Sequence, residues 1–186
     1  MKTIVLLTIF SFLLPVYAFA NPAETTIPPK NAMSAGFSRS TVKFFDEELP
    51  DHPIGFNLKY RRDFNSEYGI ITSFTYSRLN KKYLIDPKTP LDVKLKLNYY
   101  SILLGPTLRA NKYFSVYGLF GAAQGRAKIT SNYPDSNVSQ DKLEVAYGGG
   151  VQIDINEYVT LDVSYEYAKL NETKTDTLTL GVGYRF

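Results

Sequence analysis

The chain has 186 residues, of which 44% are hydrophobic, 15% aromatic and 21% charged, and its formal net charge is +3. This length fits one domain, and the aromatic content excludes a disordered chain. The absence of Cys excludes disulfides and thiolate chemistry, and a single His excludes a histidine metal cluster. Because the charge is small and mixed, the sequence predicts no nucleic-acid partner, and it also predicts no metal centre and no cofactor.

The N-terminal segment has the three regions of a secretory signal peptide. Lys2 supplies a basic start, an apolar run covers residues 4–16, and the sequence Ala-Phe-Ala at residues 18–20 is an A-x-A cleavage site. The alternative is a membrane anchor, but the run is shorter than the ~20 residues that a spanning helix needs. The sequence therefore favours an exported protein.

Three segments follow from this interpretation. Residues 1–20 are expected to be the signal peptide, and residues 21–30, which contain three prolines, a flexible periplasmic extension. Residues 31–186 are expected to form the folded domain, which contains no apolar run of 18 residues.

From residue 31 onward, apolar and polar residues alternate with a period of two, as in β-strands with one apolar face. The last ten residues show the pattern most clearly, with Leu178, Leu180, Val182, Tyr184 and Phe186 on one face. Residues 95–109 and 114–125 suit strands by length, but they are apolar or small on both faces, so their facing cannot be assigned. Together these segments predict eight strands.

The connections between the predicted strands alternate between short and long. The short ones lie at residues 65–67, 110–112 and 156–157, and the longer ones at residues 44–53, 81–94, 128–142 and 170–175. Short periplasmic turns and longer extracellular loops are typical of outer-membrane barrels. The sequence therefore predicts an all-β protein, an eight-stranded antiparallel up-and-down transmembrane barrel in a Gram-negative outer membrane, with four extracellular loops and both termini in the periplasm.

The polar face of the predicted strands carries many charges. A soluble lipocalin-type barrel would turn these charges outward, whereas a membrane barrel turns them into its lumen. Because side chains fill the lumen of so small a barrel, we expect an internal network of ion pairs. Its expected members are Lys59, Arg61, Glu144, Asp162, Glu166 and Arg185. A charged pore or a buried acid/base pair is the functional alternative.

Four stretches of the chain resemble the Ail/Lom family of enterobacterial outer-membrane proteins, which includes OmpX. They are residues 55–76 (GFNLKYRRDFNSEYGIITSFTY), 105–125, 147–169 (YGGGVQIDINEYVTLDVSYEYAK) and 181–186 (GVGYRF). The resemblance implies an eight-stranded barrel with roles in adhesion to host cells or matrix, in invasion and in resistance to complement, while other members have a general envelope role. It brings no catalytic residues and no cofactor. Arg62 departs from the family, which commonly has an aromatic residue there.

The outer loops carry the candidate surface contacts. They are Phe44 and Phe45 beside acidic residues, and the basic residues Arg78, Lys81, Lys82 and Lys88. The basic residues belong to a span from Arg78 to Lys96 with a charge balance of +4. This basic span is suited to the phosphates of lipopolysaccharide, or to anionic glycans and host matrix or complement proteins; a solvated loop without a ligand is the alternative. A small channel and a lipid-modifying enzyme are less favoured alternatives. The enzyme is disfavoured because the single His52 has no Ser fixed near it. The sequence thus predicts a non-enzymatic barrel.

Overall fold

The computed structural model describes residues 31–44, 47–48, 50–84, 92–131, 138–170 and 173–186. The described strands are β1 (Asn31–Phe44), β2 (Glu47–Glu48), β3 (Ile54–Asp63), β4 (Tyr68–Leu84), β5 (Asp92–Arg109), β6 (Phe114–Ser131), β7 (Val138–Asp154), β8 (Val159–Leu170) and β9 (Thr173–Arg185). Across the residues described, no helix is long and apolar enough to cross a membrane.

The strands form one closed antiparallel sheet. Each long strand pairs with the next along the chain, and β9 returns to pair with β1, from Ala32 opposite Arg185 to Phe44 opposite Thr173. The two-residue β2 only extends the sheet beside the upper end of β1. Closure leaves eight strands in the barrel wall without an edge, as a lipid environment requires, and confirms the predicted fold class.

The two faces of the wall are inverted relative to a soluble protein. Outward side chains are apolar and exposed, among them Phe37 at 57%, Ile102 at 68% and Phe120 at 63%. Many inward side chains are polar and buried, and Arg61 is only 1% exposed. This inversion excludes the lipocalin-type alternative, because lipid rather than water must cover the outer face.

Outward aromatic residues lie near both ends of the wall. At one end Tyr158 stacks on Tyr184 with ring centroids 6.1 Å apart, and at the other Tyr76 lies 4.9 Å from Tyr100 and Tyr147 5.3 Å from Tyr167. Aromatic belts of this kind are typical of the two membrane–water interfaces. They mark the boundaries of the lipid-facing zone.

Strands β5 and β6 are apolar on both faces for different reasons. Their outward residues face lipid, while their inward residues join an apolar cluster inside the lumen. The cluster consists of Ile71, Tyr99, Leu103, Tyr117, Leu119, Ala123, Ala146 and Ala168. Large side chains from β4, β5 and β6 meet small ones from β6, β7 and β8, which lets them fill the interior. The lumen is therefore part polar and part apolar, and this explains why the sequence left the facing of these two strands open.

The three short turns share one geometry. Asn65, Asn111 and Asn156 each accept two backbone N–H bonds, at 2.7 to 2.9 Å, from the residues two and three positions later. The side-chain amide thereby replaces backbone partners that a tight turn cannot supply. These turns all lie at the end of the barrel that we assign to the periplasm, because short turns mark that side.

The strands β4 to β7 continue beyond the rest of the wall. β4 pairs with β5 as far as Leu84 opposite Asp92, whereas β3 leaves β4 at Ile54 opposite Arg78. On the other side, β7 begins to pair with β8 only at Ala146. The connections are therefore shorter than the sequence predicted, because the hairpins keep their hydrogen bonds above the wall. Residues 79–84, 92–98, 125–131 and 138–145 are called the protruding sheet below.

Candidate functional site

The middle of the lumen is organised around the carboxylate of Asp162. The Lys59 Nζ lies 2.5 Å from Asp162 Oδ1 and donates a second bond of 2.9 Å to Ser164 Oγ. The Tyr117 hydroxyl and the Gln152 amide donate to the other oxygen of Asp162, at 2.9 and 3.0 Å. The Asp162 side chain thus has a cation and two further donors around it, which is the condition for burying a charged group.

A second group of charges fills the periplasmic end of the lumen around Asp154. Arg109 and Arg185 reach the same oxygen of Asp154 at 3.0 and 2.9 Å. Arg109 also lies 2.8 Å from Asp63. Arg61 lies 3.1 Å from Asp63, and its NH1 donates to Gln152 at 2.6 Å, which connects this group to the Asp162 group. One carboxylate therefore ties guanidinium groups from β5 and β9.

The third interior group lies around Glu166. Tyr99 donates a 2.5 Å hydrogen bond to Glu166 Oε1, and Thr75 donates a 2.9 Å bond to Oε2. Glu144 also faces inward on β7 but is only half-buried, above the point where β7 meets β8. Its carboxylate takes part in no ion pair that the structure describes.

Apart from Glu144, the charges described in the lumen balance. Four cations, Lys59, Arg61, Arg109 and Arg185, face four anions, Asp63, Asp154, Asp162 and Glu166, and every one of these except Asp63 is less than one-tenth exposed. Ion pairs and hydrogen bonds between these groups allow so many charges to stay buried in the lumen. Within the part of the chain that is described, no cluster of His, Cys, Asp or Glu side chains is arranged to hold a metal ion.

Sequence reasoning missed several members of this interior. The residues that were not predicted to belong to the network are Asp63, Tyr99, Arg109, Tyr117, Gln152 and Asp154. A signal was present: Asp63, Arg109 and Asp154 each stand two positions before the Asn of a short turn. A charged residue repeated at that place indicates a common position at the periplasmic mouth.

The protruding sheet presents a basic outer face. Register places Arg78, Asn98 and Arg126 in one row, and Lys96 directly opposite Lys128 in the next. Arg78, Lys96, Arg126 and Lys128 are all exposed, and they lie just above the aromatic pair of Tyr76 and Tyr100. This basic row, defined by Arg78, Lys96, Arg126 and Lys128, therefore faces the headgroup zone and the water above it.

The other predicted surface contacts are placed differently. Lys81 points to the inner side of the protruding sheet and lies 2.8 Å from Asp51 in an exposed ion pair. Phe44 is the last residue of β1 and Lys82 lies two residues before the end of β4, whereas Phe45 and Lys88 lie outside the described residues. The structure thus brings Arg78 together with Lys96 and Lys128, which only the strand register could show.

A second basic group lies on the opposite side of the wall. Register pairs Lys174 with Lys43 on one side and with Lys169 on the other. Below them on the outer face, the Tyr165 hydroxyl donates to Asp176, and Tyr147 packs against Tyr167. We call Lys43, Lys169 and Lys174 the lysine trio.

An antiparallel barrel with an apolar outer wall, two aromatic belts and an ion-paired lumen is an integral outer-membrane protein of a Gram-negative bacterium. The family described as outer membrane protein beta-barrel domain matches residues 6–186, and the chain belongs to that family.

Named relatives place the chain beside Ail and OmpX. It is 41% identical to the attachment invasion locus protein of Yersinia pseudotuberculosis serotype I over 84% of this chain and 85% of that protein. It is 33% identical to outer membrane protein X of Escherichia coli strain K12 over 95% of this chain and 96% of the relative. The crystal structure of Ail from Yersinia pestis, in complex with the heparin analogue sucrose octasulfate, matches with a TM-score of 0.78 and 39% identity over 86% of this chain and 100% of that chain. The resemblance read from the sequence is confirmed.

Proposed function

We propose that this barrel attaches the bacterium to host cells or matrix by binding sulfated, polyanionic glycans with the basic row of its protruding sheet. The observation that carries the proposal is the direct pairing of Lys96 with Lys128 on the exposed face. Like charges opposite each other on a sheet are destabilising, so an anion between them would relieve the repulsion.

Two further observations support this assignment. The other members of the basic row, Arg78 and Arg126, lie one step nearer the membrane than the two lysines. Anionic groups spaced along a polymer would therefore meet several cations at once. The matching Ail structure holds a polysulfated heparin analogue, and relatives are named for attachment and invasion. Protection from complement would be a second consequence of the same surface, if host regulators bind it.

The test measures binding of the purified barrel in lipid vesicles to immobilised heparin, and adhesion of bacteria that express it. Lys96→Gln combined with Lys128→Gln should weaken heparin binding at least about tenfold, because two charge-assisted contacts are lost. Lys112→Gln is the matched control, since Lys112 is an exposed lysine on a periplasmic turn. Equal heparin binding by the double variant and the control would refute the proposal.

A second candidate function is a structural envelope barrel that grips lipopolysaccharide without a protein ligand. The lysine trio favours it, because its cations stand on the outer wall directly above aromatic residues that mark the headgroup level. Replacing Lys43, Lys169 and Lys174 by Gln should then raise sensitivity to detergent while leaving heparin binding unchanged. Loss of heparin binding without detergent sensitivity would instead assign the trio to the host ligand.

The proposed role is not enzymatic and requires an exported chain. The ring of His52 lies 3.5 Å from the Thr41 hydroxyl, an arrangement that supports a structural contact for this single histidine. We further propose that residues 1–20 are removed on export and that residues 21–30 precede the barrel in the periplasm. N-terminal sequencing of the protein from outer membranes should begin at Asn21; a start at Met1 would contradict this assignment.

A further inference from the structure

The Lys59–Asp162 pair spans the place where the barrel closes. Lys59 belongs to β3 and Asp162 to β8, and only β1 and β9 lie between them on that side of the wall. On the other side, β4, β5, β6 and β7 intervene. The short way from one charge to the other therefore crosses the seam, which is the pairing of β1 with β9.

The wall beneath this pair is thin. One row of the register runs from Asn57 through Gly36 and Gly181 to Asp162, so the two seam positions have no side chain. On the outside, a shallow groove lined by Ala35, Phe37, Leu180 and Val182 lies over the same two glycines. At this level the seam consists of backbone with little side-chain packing on either face.

The remaining inward side chains of β1 are small. Its inward positions from Ala32 to Val42 are Ala, Ser, Gly, Ser, Ser and Val. Ser38 is 3.0 Å from the Thr179 hydroxyl and Ser40 is 2.8 Å from the Thr177 hydroxyl, so short hydroxyl contacts join β1 to β9. Hydrogen bonds between neutral hydroxyls are weaker than a charge-assisted pair in the same interior.

We propose that the Lys59–Asp162 pair is a strap across the seam, which keeps β1 and β9 paired and controls opening of the barrel at that point. The strap acts from the lumen: the long Lys59 side chain passes over the small seam residues and is held at its far end by Asp162 and Ser164.

Arg109 provides the matched control. It is a buried lumen cation with ion pairs of 3.0 Å to Asp154 and 2.8 Å to Asp63. Its partners stand on β7 and β3. Only β6 lies between β5 and β7, and only β4 lies between β5 and β3, so neither of these short paths crosses the seam. Both Lys59→Met and Arg109→Met remove a buried cation of the lumen, but only Lys59→Met removes an ion pair that crosses the seam.

The experiment uses the absence of native cysteine. Ser38→Cys with Thr179→Cys places two thiols across the seam where the hydroxyls lie 3.0 Å apart, close enough to form a disulfide. In the reduced state, Lys59→Met should unfold in urea roughly a hundredfold faster, since Asp162 loses its cation. Arg109→Met should also unfold faster, since Asp154 and Asp63 each lose one of their two cations. After oxidation, the Lys59→Met barrel should recover most of this loss, and the Arg109→Met barrel should not.

The result that overturns the strap is equal recovery of both variants on oxidation, or no recovery of Lys59→Met. Alkylation of the reduced thiols in folded barrels gives a second measurement: it should be faster in Lys59→Met than in Arg109→Met, and equal rates would contradict the proposal. If Lys59→Met does not assemble, Asp162→Asn is the decisive variant, because Tyr117 and Gln152 can still bond to the new amide.

Discussion

A β-carbon added to Gly150 would lie 2.5 Å from the Tyr117 hydroxyl oxygen. The missing side chain on β7 therefore lets the ring from β6 reach across the lumen and donate to Asp162 at 2.9 Å. The same β-carbon would also lie 2.4 Å from the Val163 carbonyl oxygen, which belongs to the backbone and cannot move aside cheaply. The glycine is thus part of the Asp162 network although it makes no polar contact of its own.

We expect Gly150→Ala to destabilise the barrel by about 1–3 kcal/mol, through overpacking and displacement of Tyr117 from Asp162. The urea midpoint of the folded species, followed by its mobility in gels without boiling, measures the effect. Gly118→Ala is the control, because a β-carbon there would meet nothing within 4 Å. Equal midpoints for the two variants would show that Gly150 is replaceable.

Asp154 should be far more sensitive to substitution than an exposed acid. Asp154→Asn leaves Arg109 and Arg185 without their shared carboxylate, and removing one partner of a buried pair costs about 3–5 kcal/mol. Asp51→Asn breaks an exposed pair with Lys81 and should cost at most about 1 kcal/mol. Urea unfolding in detergent compares them, and similar losses would mean that the Arg groups find other partners.

The Asn turns should each contribute a modest amount of stability. Asn111→Ala removes the acceptor for the Tyr113 and Phe114 amides and should cost about 1 kcal/mol. Asn111→Asp keeps an oxygen in place and should retain most of the stability. Refolding yield and urea midpoint of the two variants provide the comparison; an Ala variant as stable as the Asp variant would contradict the role of the amide.

A charged substitution on the outward face should destabilise the barrel strongly, because this face is in contact with lipid. Leu180 is 58% exposed, and in a water-soluble protein Leu180→Arg would change stability by about 0.5 kcal/mol or less. In a bilayer the same change should cost about 2–4 kcal/mol, because Leu180 lies in the middle part of β9. Folding titrations in lipid vesicles, with Lys112→Arg as a conservative control, measure the difference. A neutral Leu180→Arg variant would refute the lipid-facing assignment.

The lumen could be predicted only in part. The period of two put Lys59, Arg61 and Asp162 on one face, because alternation fixes which residues share a side of a strand. It could not pair Lys59 with Asp162, since these residues are 103 positions apart and meet only after the sheet closes. Arg109 was missed because β5 is apolar toward lipid and also toward the cluster around Leu103, so its two faces read alike.

The basic outer surface could also be predicted only in part. The charges of the span from Arg78 to Lys96 were evident in the sequence, but the relation of Lys96 to Lys128 depends on the register of β5 with β6. A single residue of slip would turn one of the two lysines to the inner side. The basic row is therefore a property of the paired strands and of no single segment.

By itself, the sequence determined the strand count, the inverted faces and the outer membrane as the location, because each depends on local alternation and on the lengths of neighbouring connections. The tertiary structure alone decided which buried charges are partners, that four strands rise above the wall, and that two glycines meet where the first and last strands close. These features depend on distances across the lumen and on the register between strands far apart in sequence, which no local pattern encodes.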